Sequence, residues 1–165
     1  MSPSEAIKAI LPAFEQYYTI KKEDITPPFC AEAEFRSHNE QYFLVRSAHI
    51  ADIDSNEFVY FADPQELTSD KLSELVNAAW QTGLAKVRPY NGHRNSDVSL
   101  FIFTSSISPE TAKSIKKIKL YKSYKFSLHG WSHFKLAVCT TSDFTIYTNR
   151  QGRDFIKLIR KNLNG

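Results

Sequence analysis

Glycine, proline and cysteine are all scarce in this chain. Five glycines and seven prolines in 165 residues exclude collagen-like and low-complexity architectures, which need those residues in bulk. Two cysteines, Cys30 and Cys139, are too few for a disulfide framework at this length, and their apolar neighbours point to buried free thiols. Long hydrophobic runs are missing too. The longest, around Val98–Phe103, covers about six residues, against the ~20 that cross a bilayer. The opening Met1-Ser2-Pro3-Ser4-Glu5 holds neither a cationic nor an apolar segment, and Ser2 stands where myristoylation needs glycine. The closing Asn164-Gly165 carries no prenylation box. No targeting signal is read, and a cytoplasmic protein without a membrane partner is expected.

What is present is the composition of a folded core. With 42% hydrophobic residues, 13% aromatics and a net charge of +3, the chain reads as one globular domain over residues 1–165. The small net charge conceals a division. Residues 1–82 carry 14 acids and 6 bases, a net −8, whereas residues 83–165 carry 4 acids and 15 bases, a net +11. Such asymmetry points to a phosphate-rich or membrane partner, or to an acidic half that meets the basic half within the fold or across a homodimer.

Helical spacing marks residues 4–20, with a kink expected at Pro12. Thr26-Pro27-Pro28 reads as an extended connector. Alternation over Ala31–Arg36 predicts a strand. Ser37–Glu40 supplies a turn, Tyr42–Ala48 a second strand, Asp52–Asn56 another turn and Glu57–Phe61 a third strand. That third strand is apolar on both faces, so it belongs at the centre of a sheet. Thr68 caps a helix to about Gly83, Arg88–Asp97 forms the longest polar loop, and Val98–Phe103 is another buried strand. Ser108-Pro109-Glu110 starts a helix expected to reach Tyr121. Strands are read at Tyr124–Leu128, Phe134–Cys139 and Thr145–Thr148, and a closing helix at Asp154–Leu163. The order predicts an α+β fold, a layered sandwich with a mixed, mainly antiparallel sheet and helices at both ends of the chain.

The candidate sites lie in the basic half. Lys113, Lys116, Lys117, Lys119, Lys122 and Lys125 fall within one short stretch, with no acid between Glu110 and Asp143. Three of them, Lys113, Lys116 and Lys117, share one helix edge, and Tyr121 and Tyr124 interleave with the later ones. Cations along a groove release counterions from a phosphate chain, and aromatic faces stack on bases. The bland alternative is a solvated helix face. Asn149-Arg150-Gln151-Gly152-Arg153 sits between a strand and a helix. Helix-start N–H groups flanked by Arg150 and Arg153 suit a phosphate, while a plain tight turn with Gly152 at positive φ is the alternative. His93 and Arg94, with Arg88 on the same loop, are the third candidate, expected to converge with Arg150 and Arg153. His129 and His133, in a turn between strands, lie too far apart to share a metal, so no metal and no cofactor are expected. Asp52, Asp54 and Glu57 cluster in sequence but read as a turn.

The order helix, three strands, helix, strand resembles the restriction-endonuclease-like core. That resemblance implies an acid followed by an acid-x-Lys pair holding Mg²⁺, yet Glu57-Phe58-Val59 stands where the pair belongs, and Glu34-Phe35-Arg36 carries arginine in place of lysine. Glu40-x-Tyr42-Phe43-Leu44, Glu57–Phe61, Gly130-Trp131-Ser132 and Thr148-Asn149-Arg150-x-Gly152-Arg153 resemble a small prokaryotic domain family of unknown function over most of residues 12–160. This resemblance implies no catalytic residue. The expected function is a non-catalytic binding module for nucleic acid or another phosphate-bearing ligand. The alternatives are a small metal-dependent phosphodiesterase or phospho-metabolite enzyme using Asp52, Asp54 and Glu57, and a homo-oligomer that pairs acidic with basic faces.

Overall fold

Three apolar runs form the centre of the molecule, and everything else packs on or beside them. The computed structural model describes residues 1–36, 54–89 and 93–163, the side chains of Asp54, His93 and Arg94 excepted. Along the chain run α1 (Pro3–Ile10), a 3₁₀ turn (Leu11–Phe14), β1 (Thr19–Lys21), β2 (Ala31–Arg36), β3 (Asp54–Ala62), β4 (Glu66–Leu67), α2 (Ser69–Lys86), β5 (His93–Thr104), β6 (Ser106–Ile107), α3 (Pro109–Ile115), β7 (Tyr121–Ser123), β8 (Trp131–Thr140), β9 (Ile146–Thr148) and α4 (Phe155–Leu163). The large sheet has the order β1-β2-β3-β5-β8-β7, and β9 also pairs with β8. Its centre, β3-β5-β8, is parallel, and its flanks are antiparallel. The sheet is therefore mixed and mainly antiparallel, with helices at both ends of the chain, as the sequence predicts.

Strand parity explains the layers. Even-numbered Phe58, Tyr60, Leu100, Ile102, Phe134 and Leu136 turn to one face, where they pack with Leu72, Leu75 and Ala79 of α2 and Ile115 of α3. Odd-numbered Val59, Phe61, Phe101, Phe103, Ala137 and Cys139 turn to the other, against Ile7 and Ile10 of α1 and Phe155 and Ile159 of α4. Strands buried on both faces are apolar at most positions, which is why Phe58–Ala62, Leu100–Phe103 and Leu136–Cys139 run on without alternation. Each large side chain fully buried there contributes about 1.5–3 kcal/mol. Gly83 lies inside α2, not at its end, and close packing accounts for the glycine, since a Cβ at that position would meet Val98 Cγ2 at 2.5 Å. Both cysteines are free thiols. Burial, with Asp63 adding to it, pushes Cys30 up to about 12, and burial, with Asp143 adding, pushes Cys139 up to about 11.

Several boundaries differ from the sequence reading. Pro12 replaces the second half of the first helix with a 3₁₀ turn, and Thr19–Lys21 pairs with β2 as an edge strand. Asp54–Asn56 belongs to β3, not to a turn, and β5 begins at His93 inside the expected polar loop. The helix opened by Ser108 stops at Ile115, where the inward spacing changes from helical to alternating at Ile118 and Leu120. The strand preceding β8 is consequently Tyr121–Ser123, not Tyr124–Leu128. Lys125, Phe126 and Ser127 instead take φ of 47°, 53° and 70°, a left-handed turn that costs roughly 1–2 kcal/mol per residue. The expected turn at Ser37–Glu40 and strand at Tyr42–Ala48 lie outside the described residues.

Candidate functional site

Asn149 organises the basic half. The outer edge of β8 is ten residues long but is covered by two short strands, β7 opposite Trp131–His133 and β9 opposite Ala137–Cys139. The buried Asn149 side chain fills the gap between them. Its Oδ1 accepts from Leu136 N (3.0 Å) and Gly152 N (2.9 Å), and its Nδ2 donates to Phe134 O (2.9 Å) and Ile118 O (3.2 Å). The side-chain amide thus replaces a missing peptide in the ladder. It also ties the segment after α3 and the turn before α4 to the same point on the sheet. Gly152 is required by this closeness. A Cβ there would meet Leu136 O at 2.4 Å, so steric contact and not a positive φ explains the glycine.

The two elements held by Asn149 bring their cations together. Lys113, Lys116 and Lys117 from α3 and its C-terminal turn, and Arg150 and Arg153 from the turn before α4, line one groove of about 900 Å³. Its floor is Ile146, Tyr147, Thr148 and Ile156, and no carboxylate is among its lining residues. None of the five cations makes an ion pair among the described residues. A more open depression shares Arg153 and Ile156 and extends along α4 past Asp154 to Lys157, Arg160 and Lys161. Sequence reasoning passed over those three, although their spacing from Arg153, at i+4, i+7 and i+8, places them along one edge of a helix.

Other candidates fall elsewhere. Lys122 sits on β7 with its Nζ 5.5 Å from the Tyr124 ring centre, and it does not line the groove. The side chains of His93 and Arg94 lie outside the described residues. Arg88 donates from Nη1 to Ala85 O (2.9 Å) and Val87 O (3.1 Å), binding the carbonyls at the end of α2. His133 packs on the Tyr121 ring at 5.0 Å. The first N–H groups entering α4 are already committed, since Phe155 N donates to Gly152 O and Ile156 N to Arg153 O. The expected helix-start donors are thus used within the turn, and the groove offers side-chain cations.

A second polar group lies on the α1/α4 face of the central strands. Tyr18 OH donates to Glu57 Oε2 and Ser99 Oγ donates to Glu57 Oε1, both at 3.2 Å. Asp97, the register partner of Glu57 on β5, receives Lys135 Nζ at 3.3 Å and Asn95 Nδ2 at 3.2 Å. The other Asp97 oxygen, Oδ1, is buried without a hydrogen-bond partner among the described residues. Burial holds the Glu57 carboxyl above its ordinary range. Lys135 pulls it back down, and Asp97 pushes it further up. Glu57 stands on β3, two strands inward from the edge that bears the groove. Asp52 and the side chain of Asp54 lie outside the described residues. Among the described residues no group of three or more His, Cys, Asp or Glu side chains is placed to hold a metal ion.

A protein-family model described as a domain of unknown function, DUF8052, matches residues 3–161. No curated protein and no solved structure matches the chain.

Proposed function

The chain belongs to this family, DUF8052, and from the geometry of its groove we propose that it is a binding module for a phosphate-bearing ligand. The observation that carries the reading is the convergence of Lys113, Lys116, Lys117, Arg150 and Arg153 on one concave surface. Like charges gathered without counter-charges repel one another, and an anion seated among them relieves that repulsion. Arginine adds a planar fork suited to phosphate oxygens, and lysine adds compact point charges. The groove volume falls within the ~300–1,000 Å³ usual for ligand sites. A nucleic-acid strand and a small phosphorylated molecule share the chemistry that this surface recognises.

The metal-dependent phosphodiesterase reading draws less support, because Glu57 is two strands away from these cations. The test is fluorescence anisotropy with a labelled single-stranded oligonucleotide, with inorganic pyrophosphate as competitor, at increasing salt. Binding should weaken with salt at a slope that reports the number of phosphates neutralised. The Lys116→Gln/Lys117→Gln and Arg150→Gln/Arg153→Gln pairs should each weaken it at least about tenfold, at ~1 kcal/mol or more per lost charge-assisted contact. Absence of binding to both probes at low salt, or binding that ignores both pairs of substitutions, overturns the proposal.

A further inference from the structure

The connection between β7 and β8 exposes two large apolar side chains that nothing in the groove uses. Phe126 is 99% exposed and Leu128 74%. The turn that carries them is closed by its own backbone. Tyr124 N donates to Gly130 O, His129 N to Tyr124 O and Leu128 N to Lys125 O. Three consecutive left-handed residues, Lys125, Phe126 and Ser127, place the Phe126 ring outward at the apex. A hydrogen-bonded turn in a disfavoured backbone conformation that exposes a phenylalanine needs a reason outside the monomer.

Charge narrows what that reason is. Lys122, on the strand leading to the tip, and Lys125, on the tip itself, are exposed, and the chain holds no acid from residue 111 to residue 142. Tyr121, half exposed, stands at its base. Two apolar side chains supply at most roughly 400 Å², about half of the ~800 Å² per partner that a stable protein interface needs. Leu128 has no ring face on which a base can stack. Apolar side chains at an apex above a collar of lysines and a tyrosine match the layered chemistry of a lipid surface: acyl boundary, then headgroup phosphates.

We propose that this tip docks the protein on an anionic membrane surface. Phe126 and Leu128 enter the boundary between headgroups and acyl chains, and Lys122 and Lys125 lie against the headgroup phosphates. No helix among the described residues is long and apolar enough to cross a membrane, and surface docking does not require one. The proposal shares no residue with the cationic groove, so either can fail alone.

The test is co-sedimentation of the full chain with vesicles of phosphatidylglycerol and phosphatidylcholine in equal parts, and with vesicles of phosphatidylcholine alone. Binding should favour the anionic vesicles and weaken with salt. Phe126→Ala and Leu128→Ala remove exposed side chains and leave the core intact, and each should lower partitioning about tenfold. Lys122→Gln and Lys125→Gln should each lower it about fivefold. The groove pair Arg150→Gln/Arg153→Gln should leave the Phe126 dependence unchanged. Failure to sediment with anionic vesicles at low salt, or equal binding by the Phe126→Ala and native chains, overturns the proposal. So does a Phe126→Ala chain that loses oligonucleotide binding while keeping vesicle binding, which would assign the tip to nucleic acid.

Discussion

Replacing Asn149 by alanine removes the one side chain that closes the β8 ladder between β7 and β9. Three backbone groups, Leu136 N, Phe134 O and Ile118 O, lose their side-chain partner at once, and Gly152 N keeps only its longer bond to the carbonyl of residue 149 (3.2 Å). Each buried polar group left unpaired costs about 1–3 kcal/mol. Water entering the space vacated by the amide recovers part of that, so a loss of about 4 kcal/mol is expected, near a thousandfold in the folding constant. Against a typical total of ~5–15 kcal/mol, this is a large fraction for an uncharged residue. Urea denaturation followed by circular dichroism measures it as a lower midpoint at unchanged slope.

Aspartate at position 149 separates hydrogen bonding from shape. It keeps the two acceptor contacts but sets a carboxylate oxygen against Phe134 O and Ile118 O. Asn149→Asp should therefore also be unstable at neutral pH. It should regain stability as pH falls, when the protonated acid can donate to one carbonyl. An alanine variant that loses less than about 1 kcal/mol, or an aspartate variant as stable as the native chain at neutral pH, would refute the ladder reading.

Two further outcomes follow from the same geometry. Gly152→Ala drives a Cβ to 2.4 Å from Leu136 O, a backbone atom that cannot swing away. It should cost about 1–3 kcal/mol by overpacking and weaken phosphate binding by displacing Arg150 and Arg153, measured by denaturation and by anisotropy on one preparation. Glu57 binds its proton more tightly folded than unfolded, because its carboxyl is raised above 4.5. Its contribution is thus fully present below that unfolded value and is lost as pH rises through the folded one. Glu57→Gln should flatten the fall in stability on the alkaline side of pH 4.5, and an unchanged slope across a pH series of urea melts would count against the assignment.

Much of the fold was legible because burial on two faces leaves an unmistakable trace. Glu57–Phe61 and Val98–Phe103 show that trace, Phe134–Cys139 reads as an alternating strand, and all three are central strands. Boundaries governed by tertiary contact were not legible. Thr19–Lys21 is a strand only because β2 lies beside it, and the glycine at position 83 inside a helix answers to the closeness of Val98, not to a helix end. The end of α3 is ambiguous in sequence because Ile115 and Ile118 fit helical spacing as well as they fit a helix followed by an alternating segment.

The site divides in the same way. Both cationic stretches were visible in sequence, but their convergence depends on Asn149, which read as an ordinary turn residue. Its four partners, at Ile118, Phe134, Leu136 and Gly152, are spread over 35 residues of chain, a distance that no local pattern spans. Asp97 and Lys135 likewise meet Glu57 only through the register of neighbouring strands.

The piecemeal covering of β8 also bears on edge-to-edge pairing between copies. A ten-residue outer strand that ended the sheet bare would be a template for the same strand of another copy, and stacked copies of such edges grow into aggregates. Here that edge is covered by three residues of β7, the buried Asn149 amide and three residues of β9, with lysines and arginines beside them. At three residues each, β7 and β9 offer another chain far less ladder than the ten-residue strand they cover.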